Sequence, residues 1–420
     1  MSQSYEKPPV VLVGGGMITE IQILPSLYHL QRTGLIGEIS ICALNAAPLK
    51  KIADNESLAK AFPGSTFKPY PDFSKVDPEE VFPDLYRELF SQTAKRSIAV
   101  VAVPDQLHYR VVKDALECDL HVLTVKPLVL TYEEAIELEK LAQAKGLFIG
   151  VEYHKRFDDR NLIARLRYRA GELGDFRLGY ASLIEPWYYR NSNFQNWCTV
   201  ENSDMFTYIG CHYVDLVAFI TGLLPVEVSV YGVAEDYPNG NKGYLWTDGR
   251  VVWSNGACLS VLNGMGYPNA APGGNSQGMA LFCRGEKDGA LVIHDDQYRG
   301  VKHSYTARGG DEGDTCYNEV SPDYFKLVDL GGGALTPVGY GHRSIEGIIK
   351  AIHRVEAEGG DEVKARQAEM KAIDREGIIA TPANSSYNEL VIEAGRMSIT
   401  SRGRPVVITY GDSPHVRFRD

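Results

Sequence analysis

The apolar positions of this chain fall into two patterns, and the change between them comes near residue 150. Before it, short and mostly apolar runs at 10–13, 39–44, 98–103, 121–124 and 147–151 alternate with longer amphipathic stretches. Such runs are the form taken by strands buried on both faces. The clearest amphipathic stretch is 131–146, where Thr131 and Glu134 make a capping box, Ala135, Leu138, Leu141 and Ala142 share a face, and Gly146 closes the helix. Strand and helix in alternation predict a doubly wound parallel sheet. Two irregularities are expected: a kink at Pro25, which lies beyond the first turn of the first helix, and a helical excursion over 70–95, where Pro71, Pro78 and Pro83 interrupt the rhythm.

After residue 151 the pattern changes. Helices near 159–172 and 203–221 precede alternating, Gly-rich and aromatic segments from 176 to about 301, among them 226–233, 251–262, 279–283 and 290–294. These predict a largely antiparallel sheet flanked by helices. Helix returns at 343–357 and 385–402, followed by a strand at 405–410. The fold class is therefore α/β, with two domains: a doubly wound parallel (Rossmann) sheet over 1–150, and an α+β domain over 151–420 built on a largely antiparallel open sheet. An open sheet with one uncovered face predicts a homo-oligomer, dimer or tetramer.

The 420 residues fit two domains, and a hydrophobic content of 44% supplies cores for both. A net charge of -11 without a Lys/Arg run disfavours nucleic acid as a partner. The seven cysteines are scattered, odd in number and never spaced C-x-x-C, which fits reduced thiols in a cytoplasm and no structural zinc. The polar start MSQSYEKPP, together with the absence of an apolar run of about 18 residues, predicts a cytoplasmic protein without a signal peptide or membrane span. GGDEGD at 309–314 lacks the alternating ligand spacing of a metal loop and reads as a solvated surface loop.

The candidate chemistry begins at the first strand. VVLV is followed by Gly14, Gly15 and Gly16 and then by a helix, so backbone N–H groups at the helix start can face a diphosphate. Gly14 and Gly16 fit the first two positions of G-x-G-x-x-G, Thr19 stands at the third, and Met17 and Ile18 complete the turn. The second strand ends in Ala43, Leu44 and Asn45, with no carboxylate for the adenine ribose. Asn45 is the candidate ribose contact, Lys50 and Lys51 are candidates for a 2′-phosphate, and the cofactor is read as NAD or NADP. At the carboxyl end of a later strand stands Lys126, followed by Pro127. That edge of a parallel sheet is where cofactor and substrate meet.

Three segments together resemble the family of glucose-fructose oxidoreductase, inositol dehydrogenase and rhizopine catabolism proteins, Gfo/Idh/MocA. AVPDQLHYRVVKDALECDLHVLTVKPL resembles its run through T/V-P-x-x-x-H to E-K-P-L, YHKRFDDR resembles the segment that opens its second domain, and YIGCHYVDLVAFITG resembles its D-x-G-x-H-x-x-D helix. The resemblance implies an NAD(P)-dependent oxidoreductase that transfers hydride between nicotinamide and a hydroxyl of a sugar, polyol or glycoside. It also implies roles: Lys126 beside the reacting hydroxyl, His212 as acid/base, Asp215 as the acidic residue three positions on, and Gly14, Gly16, Pro104 and His108 lining the cofactor. Two positions depart from the pattern: Val125 replaces the glutamate of E-K-P, and Tyr208 replaces the aspartate four residues before the histidine.

Hydride transfer from an alcohol needs a proton acceptor and a positive charge for the developing alkoxide. His212 and Lys126 supply those types, while Tyr208 and Asp204, one and two helical turns before His212, are expected on its face. Tyr208 is then a candidate for binding a substrate hydroxyl or relaying the proton. Substrate contacts are expected from Arg156, in the basic cluster His154, Lys155 and Arg156, from Asp215, and from Trp187 in the aromatic segment 185–197. A salt-bridged hinge for the basic cluster and an oligomer interface for the aromatic segment remain open. The segment 264–277 is read as a loop over the cleft or a long hairpin connection. Two other functions stay beside the dehydrogenase: a glycoside hydrolase or epimerase that keeps NAD bound and oxidises its substrate transiently, and a nucleotide-binding regulator without catalysis.

Overall fold

Four consecutive apolar residues, Val10–Val13, form strand β1, and all four are buried. It pairs in parallel with β2 (Ile39–Cys42) on one side. Three more strands follow in the chain: β3 (Lys68–Tyr70), β4 (Ile98–Val101), which pairs in parallel with the other side of β1, and β5 (His121–Val125). With β6 (Ile149–Glu152) they complete a six-stranded parallel sheet in the order β3-β2-β1-β4-β5-β6. The computed structural model describes residues 7–271, 274–296, 302–306, 315–319 and 323–420. The segment GGDEGD lies outside them.

The chain divides into two compact units. The first comprises residues up to Val129, Glu133–His154 and Phe325–Ser385. The expected boundary near residue 150 thus falls within β6, and a stretch read as part of the second domain returns to the first. The physical reason is a face left uncovered by the first 150 residues. Helix Tyr340–Gly359 supplies Ile345, Ile348 and Ile352 to the core that holds Val10, Leu12 and Leu123. Gly150 allows that approach, since a Cβ there would stand 2.5 Å from Ile348. At Pro25 the expected irregularity takes the form of a π-helical turn, Thr19–Ile23, leading into helix Leu24–Arg32. The wider turn accommodates a residue with no N–H to donate.

The second unit comprises Leu130–Tyr132, Lys155–Tyr324 and Ser386–Asp420. Its sheet contains β7 (Asp175–Pro186), β8 (Pro225–Asp236), β9 (Lys242–Trp253), β10 (Cys258–Tyr267), β11 (Ser276–Arg284) and β12 (Gly289–Asp296). A separate pair follows, β13 (Lys302–Thr306) with β14 (Thr315–Glu319), and β15 (Lys326–Val328) with β16 (Thr336–Val338) forms another in the first unit. β17 (Val406–Thr409) and β18 (His415–Phe418) complete the large sheet in the order β12-β11-β7-β10-β9-β8-β17-β18. Its pairings are antiparallel except β7 with β10.

Helix Cys211–Thr221 is buried along its whole length, and Gly222, at φ 77°, ends it with a left-handed cap. One sheet face carries buried residues such as Leu259 and Val261; the opposite face leaves Tyr180, Tyr231, Leu262, Phe282 and Ile293 exposed. Among the described residues no helix is long and apolar enough to cross a membrane.

Candidate functional site

Because all six strands of the first sheet run in parallel, the residues that follow them gather at one edge. Between β1 and β4 the chain connections diverge to opposite sides, the position where an open α/β sheet forms its ligand crevice. Gly14 sits there at φ 121°, and a Cβ on it would lie 2.0 Å from the Ala102 carbonyl oxygen. Only glycine fits. Thr19, the residue in the third motif position, is fully buried and donates its hydroxyl to the Gly14 carbonyl at 2.8 Å. It holds the turn that a third glycine would have allowed the helix to approach. Around Gly16 a Cβ would meet nothing within 4 Å, so the tip of the turn opens outward at a helix start. Those features suit a diphosphate: a side-chain-free cradle and oriented helix N–H groups. Met17, Ile18, Asn45 and Pro104 are all half-buried along the same edge.

Lys126 directly follows β5 and is only 9% exposed, which sets it apart from an ordinary surface lysine; its bond to Pro127 is cis. Behind it lies His108, fully buried, with Nδ1 2.6 Å from the Pro127 carbonyl and Nε2 2.8 Å from that of Val103. A backbone oxygen lies within hydrogen-bond distance of each ring nitrogen, so the imidazole sits between the turn after β4 and the turn that carries Lys126.

A group missed by sequence reasoning lies at the end of β6. Glu152 is 4% exposed and accepts from Gln22 Nε2 at 2.9 Å and from Ser344 Oγ at 2.6 Å, with His154 Nδ1 3.1 Å away. The His154 ring stacks on Tyr340, with centroids 5.5 Å apart. A carboxylate ending an otherwise apolar strand was the available signal.

In the second unit, the helix bearing His212 starts at Asp204. The carboxylate of Asp204 accepts from the Thr207 N–H at 2.9 Å, from its hydroxyl at 3.1 Å and from Arg396 Nη1 at 2.9 Å. Asp204 therefore caps and anchors the helix. A π-helical turn, Phe206–Gly210, intervenes and shifts that spacing. Tyr208 lies in it, half-buried, with its ring edge-on to Phe194 and Trp197 at centroid distances of 4.9 and 5.5 Å. His212 is 6% exposed.

Arg156 and Asp215, the two charged residues expected to touch substrate, lie against each other. Arg156 donates through Nε to Asp215 Oδ2 at 2.8 Å and through Nη2 to Oδ1 at 2.6 Å, and the two residues are 2% and 1% exposed. Oδ1 also accepts from Tyr387 and Asn388. A forked ion pair with its carboxylate this fully engaged fixes the His212 helix in place. Lys155 behaves likewise, with Nζ 2.5 Å from Gln277 Oε1 and 3.1 Å from Asp296 Oδ2. Nearby, burial pushes the Tyr213 hydroxyl well above its ordinary range. Trp187 remains 48% exposed, with the Arg190 guanidinium 4.0 Å from its ring centre. Arg190 is held in turn by the Met265 carbonyl at 2.7 Å and by Glu235. In the segment 264–277, Tyr267 ends β10 and Ser276 begins β11, so the described part is a connection between strands.

Residues 9–153 match the family model for Gfo/Idh/MocA proteins, an oxidoreductase family with an NAD-binding Rossmann fold. Over this domain the chain is similar to the Gfo/Idh/MocA family. An uncharacterized oxidoreductase of Bacillus subtilis, YfiI, is 36% identical over 107 residues, 24% of this chain and 27% of that protein. The scyllo-inositol 2-dehydrogenase (NADP(+)) IolW of the same organism is 24% identical over 46% of this chain and 52% of its own length. The chain thus spans about a quarter of the first relative and half of the second. Among solved structures, an inositol dehydrogenase homolog from Azotobacter vinelandii, complexed with NADH and myo-inositol, superposes with a TM-score of 0.63 at 17% identity, covering 96% of this chain and 97% of that one. That likeness is one of fold.

Proposed function

We propose that this protein is an NAD(P)-dependent dehydrogenase that transfers hydride between nicotinamide and a hydroxyl of a sugar, polyol or glycoside. The observation that carries the reading is Lys126, a buried lysine at the same sheet edge as a glycine turn suited to a diphosphate. Relatives named for scyllo-inositol and for D-glucoside oxidation support the substrate class.

Gly14, Gly16 and the helix start after them would hold the diphosphate, with Met17, Ile18, Asn45, Pro104 and Pro127 along the dinucleotide. Bound there, the nicotinamide supplies the acceptor for the hydride leaving the carbinol carbon. The Lys126 ammonium stabilises the negative charge that develops on the substrate oxygen as its C–H bond breaks. His212 takes the hydroxyl proton, and the oxygen lone pair then closes the carbonyl double bond. Tyr208 stands where the family pattern has an aspartate; its hydroxyl binds a neighbouring substrate hydroxyl or passes the proton. Trp187, braced by Arg190, offers an aromatic face to sugar C–H groups.

The test is a panel of inositols, sugars and uronates with each cofactor, followed through the absorbance of reduced nicotinamide. Lys126→Met is expected to lower kcat by at least ~100-fold with reduced-cofactor affinity retained, and His212→Asn to lower it by a similar factor. Turnover unchanged in Lys126→Met would remove the catalytic assignment. The same reading takes the protein as a homo-oligomer assembled on the open face around Tyr180, Tyr231 and Phe282. Light scattering on Tyr180→Glu checks this: a lower mass than the wild type is expected, and an unchanged mass rejects the face.

A further inference from the structure

The cofactor reading leaves open which dinucleotide the site takes, and the end of β2 bears on that choice. Gly14 donates its N–H to the Cys42 carbonyl at 2.8 Å and Ala43 donates to Tyr70 at 2.9 Å, so the backbone of the strand end is fixed from both sides. A Cβ built on Gly15 would stand 3.3 Å from the Ala43 Cβ and 3.2 Å from that of Pro48. Residue 43 therefore directs its side chain at the glycine turn, while Leu44, 57% exposed, points away from the core. Leu44 is bound to the excursion before β4, its carbonyl accepting from Phe82 at 2.7 Å, beside the equally exposed Val81.

A dinucleotide with its diphosphate on the first helix brings the adenine ribose to the end of β2. An acidic residue there binds the ribose 2′-hydroxyl and repels a 2′-phosphate. Alanine does neither. The two lysines that follow β2 already face carboxylates: Lys50 pairs with Asp54 at 2.9 Å, and Lys51 pairs with Glu20 at 2.8 Å, whose carboxylate also accepts from Asn55. We propose that the site accepts NAD(H) and NADP(H) with comparable affinity, and that the alanine at position 43 is the residue that permits it. This rests on the dehydrogenase reading's placement of the cofactor.

Purified full-length protein is titrated with NADH and with NADPH, without substrate, by nicotinamide fluorescence. The two dissociation constants are expected within ~10-fold of each other, and Ala43→Asp is expected to shift their ratio toward NADH by at least ~10-fold. A wild-type ratio beyond ~10-fold, or a folded Ala43→Asp with an unshifted ratio, overturns the proposal. Binding of neither nucleotide defeats the cofactor reading as a whole, an outcome distinct from binding of only one. Should aspartate at this buried position prevent folding, the wild-type ratio decides alone, with Asn45→Asp as the second variant.

Discussion

His108 Nδ1 lies 2.6 Å from the Pro127 carbonyl oxygen, which ties the sheet-edge position of Lys126 to a ring 18 residues earlier in the chain. The same ring reaches the Val103 carbonyl at 2.8 Å, so one side chain fixes two turns of the cofactor edge. His108→Ala removes a buried hydrogen-bond donor and opens a cavity, at an expected cost of about 3 kcal/mol. Urea unfolding measures that loss, and nucleotide titration should show weaker cofactor binding alongside it. A variant as stable as the wild type would mean that the turns hold themselves.

The glycine turn makes a second, sharper contrast. At Gly14 a Cβ meets backbone at 2.0 Å and φ is positive, so Gly14→Ala is expected to fold poorly or not at all. Around Gly16 there is open space, so Gly16→Val is expected to keep its stability within about 0.5 kcal/mol while weakening NADH binding at least ~10-fold, because the new side chain fills the diphosphate's place. Unimpaired NADH binding in a folded Gly16→Val would show that the diphosphate lies elsewhere.

Much of this edge was readable from the sequence because it depends on local chemistry. Apolar runs buried on both faces, a glycine turn after the first of them and Lys-Pro after the fifth each declare themselves within a few residues. Long-range pairing does not. Nothing near Ile345 or Ile348 marks that helix as cover for the parallel sheet, although Gly150, a glycine inside a strand, was a faint sign of close approach. In the sequence Arg156 and Asp215 read as substrate contacts because both are charged and accompany the motifs. Their separation of 59 residues hid the fact that they face each other.

Their pairing leads to a prediction that separates structure from substrate binding. Removing one partner of a buried ion pair leaves an uncompensated charge, so Asp215→Ala is expected to lose about 3–5 kcal/mol of stability. Combining it with Arg156→Met should cost less than the sum of the single changes, giving a coupling energy of at least about 1 kcal/mol in a double-mutant cycle from urea unfolding. Direct substrate contact would instead raise KM in a folded Arg156→Lys variant with stability barely altered.

His342 supplies a pH signature for the first unit. It is 6% exposed, with an Nδ1 that has no hydrogen-bond partner among the described residues, and its ring meets His29 edge-on at 5.4 Å. Burial is the main reason its pKa falls from 6.5 to about 4; Glu346 opposes the shift, and His29, Lys350 and Arg343 add to it. The imidazole is therefore neutral in the folded protein while the unfolded chain takes up a proton at higher pH. Its contribution is complete above about pH 6.5 and is lost as pH falls toward about 4, by about 3 kcal/mol at most. His342→Phe keeps a ring beside His29 and removes the titration. Urea midpoints at pH 7.5 and 4.5 should accordingly drop further in the wild type than in the variant, and equal drops would mean that His342 takes up its proton as readily folded as unfolded.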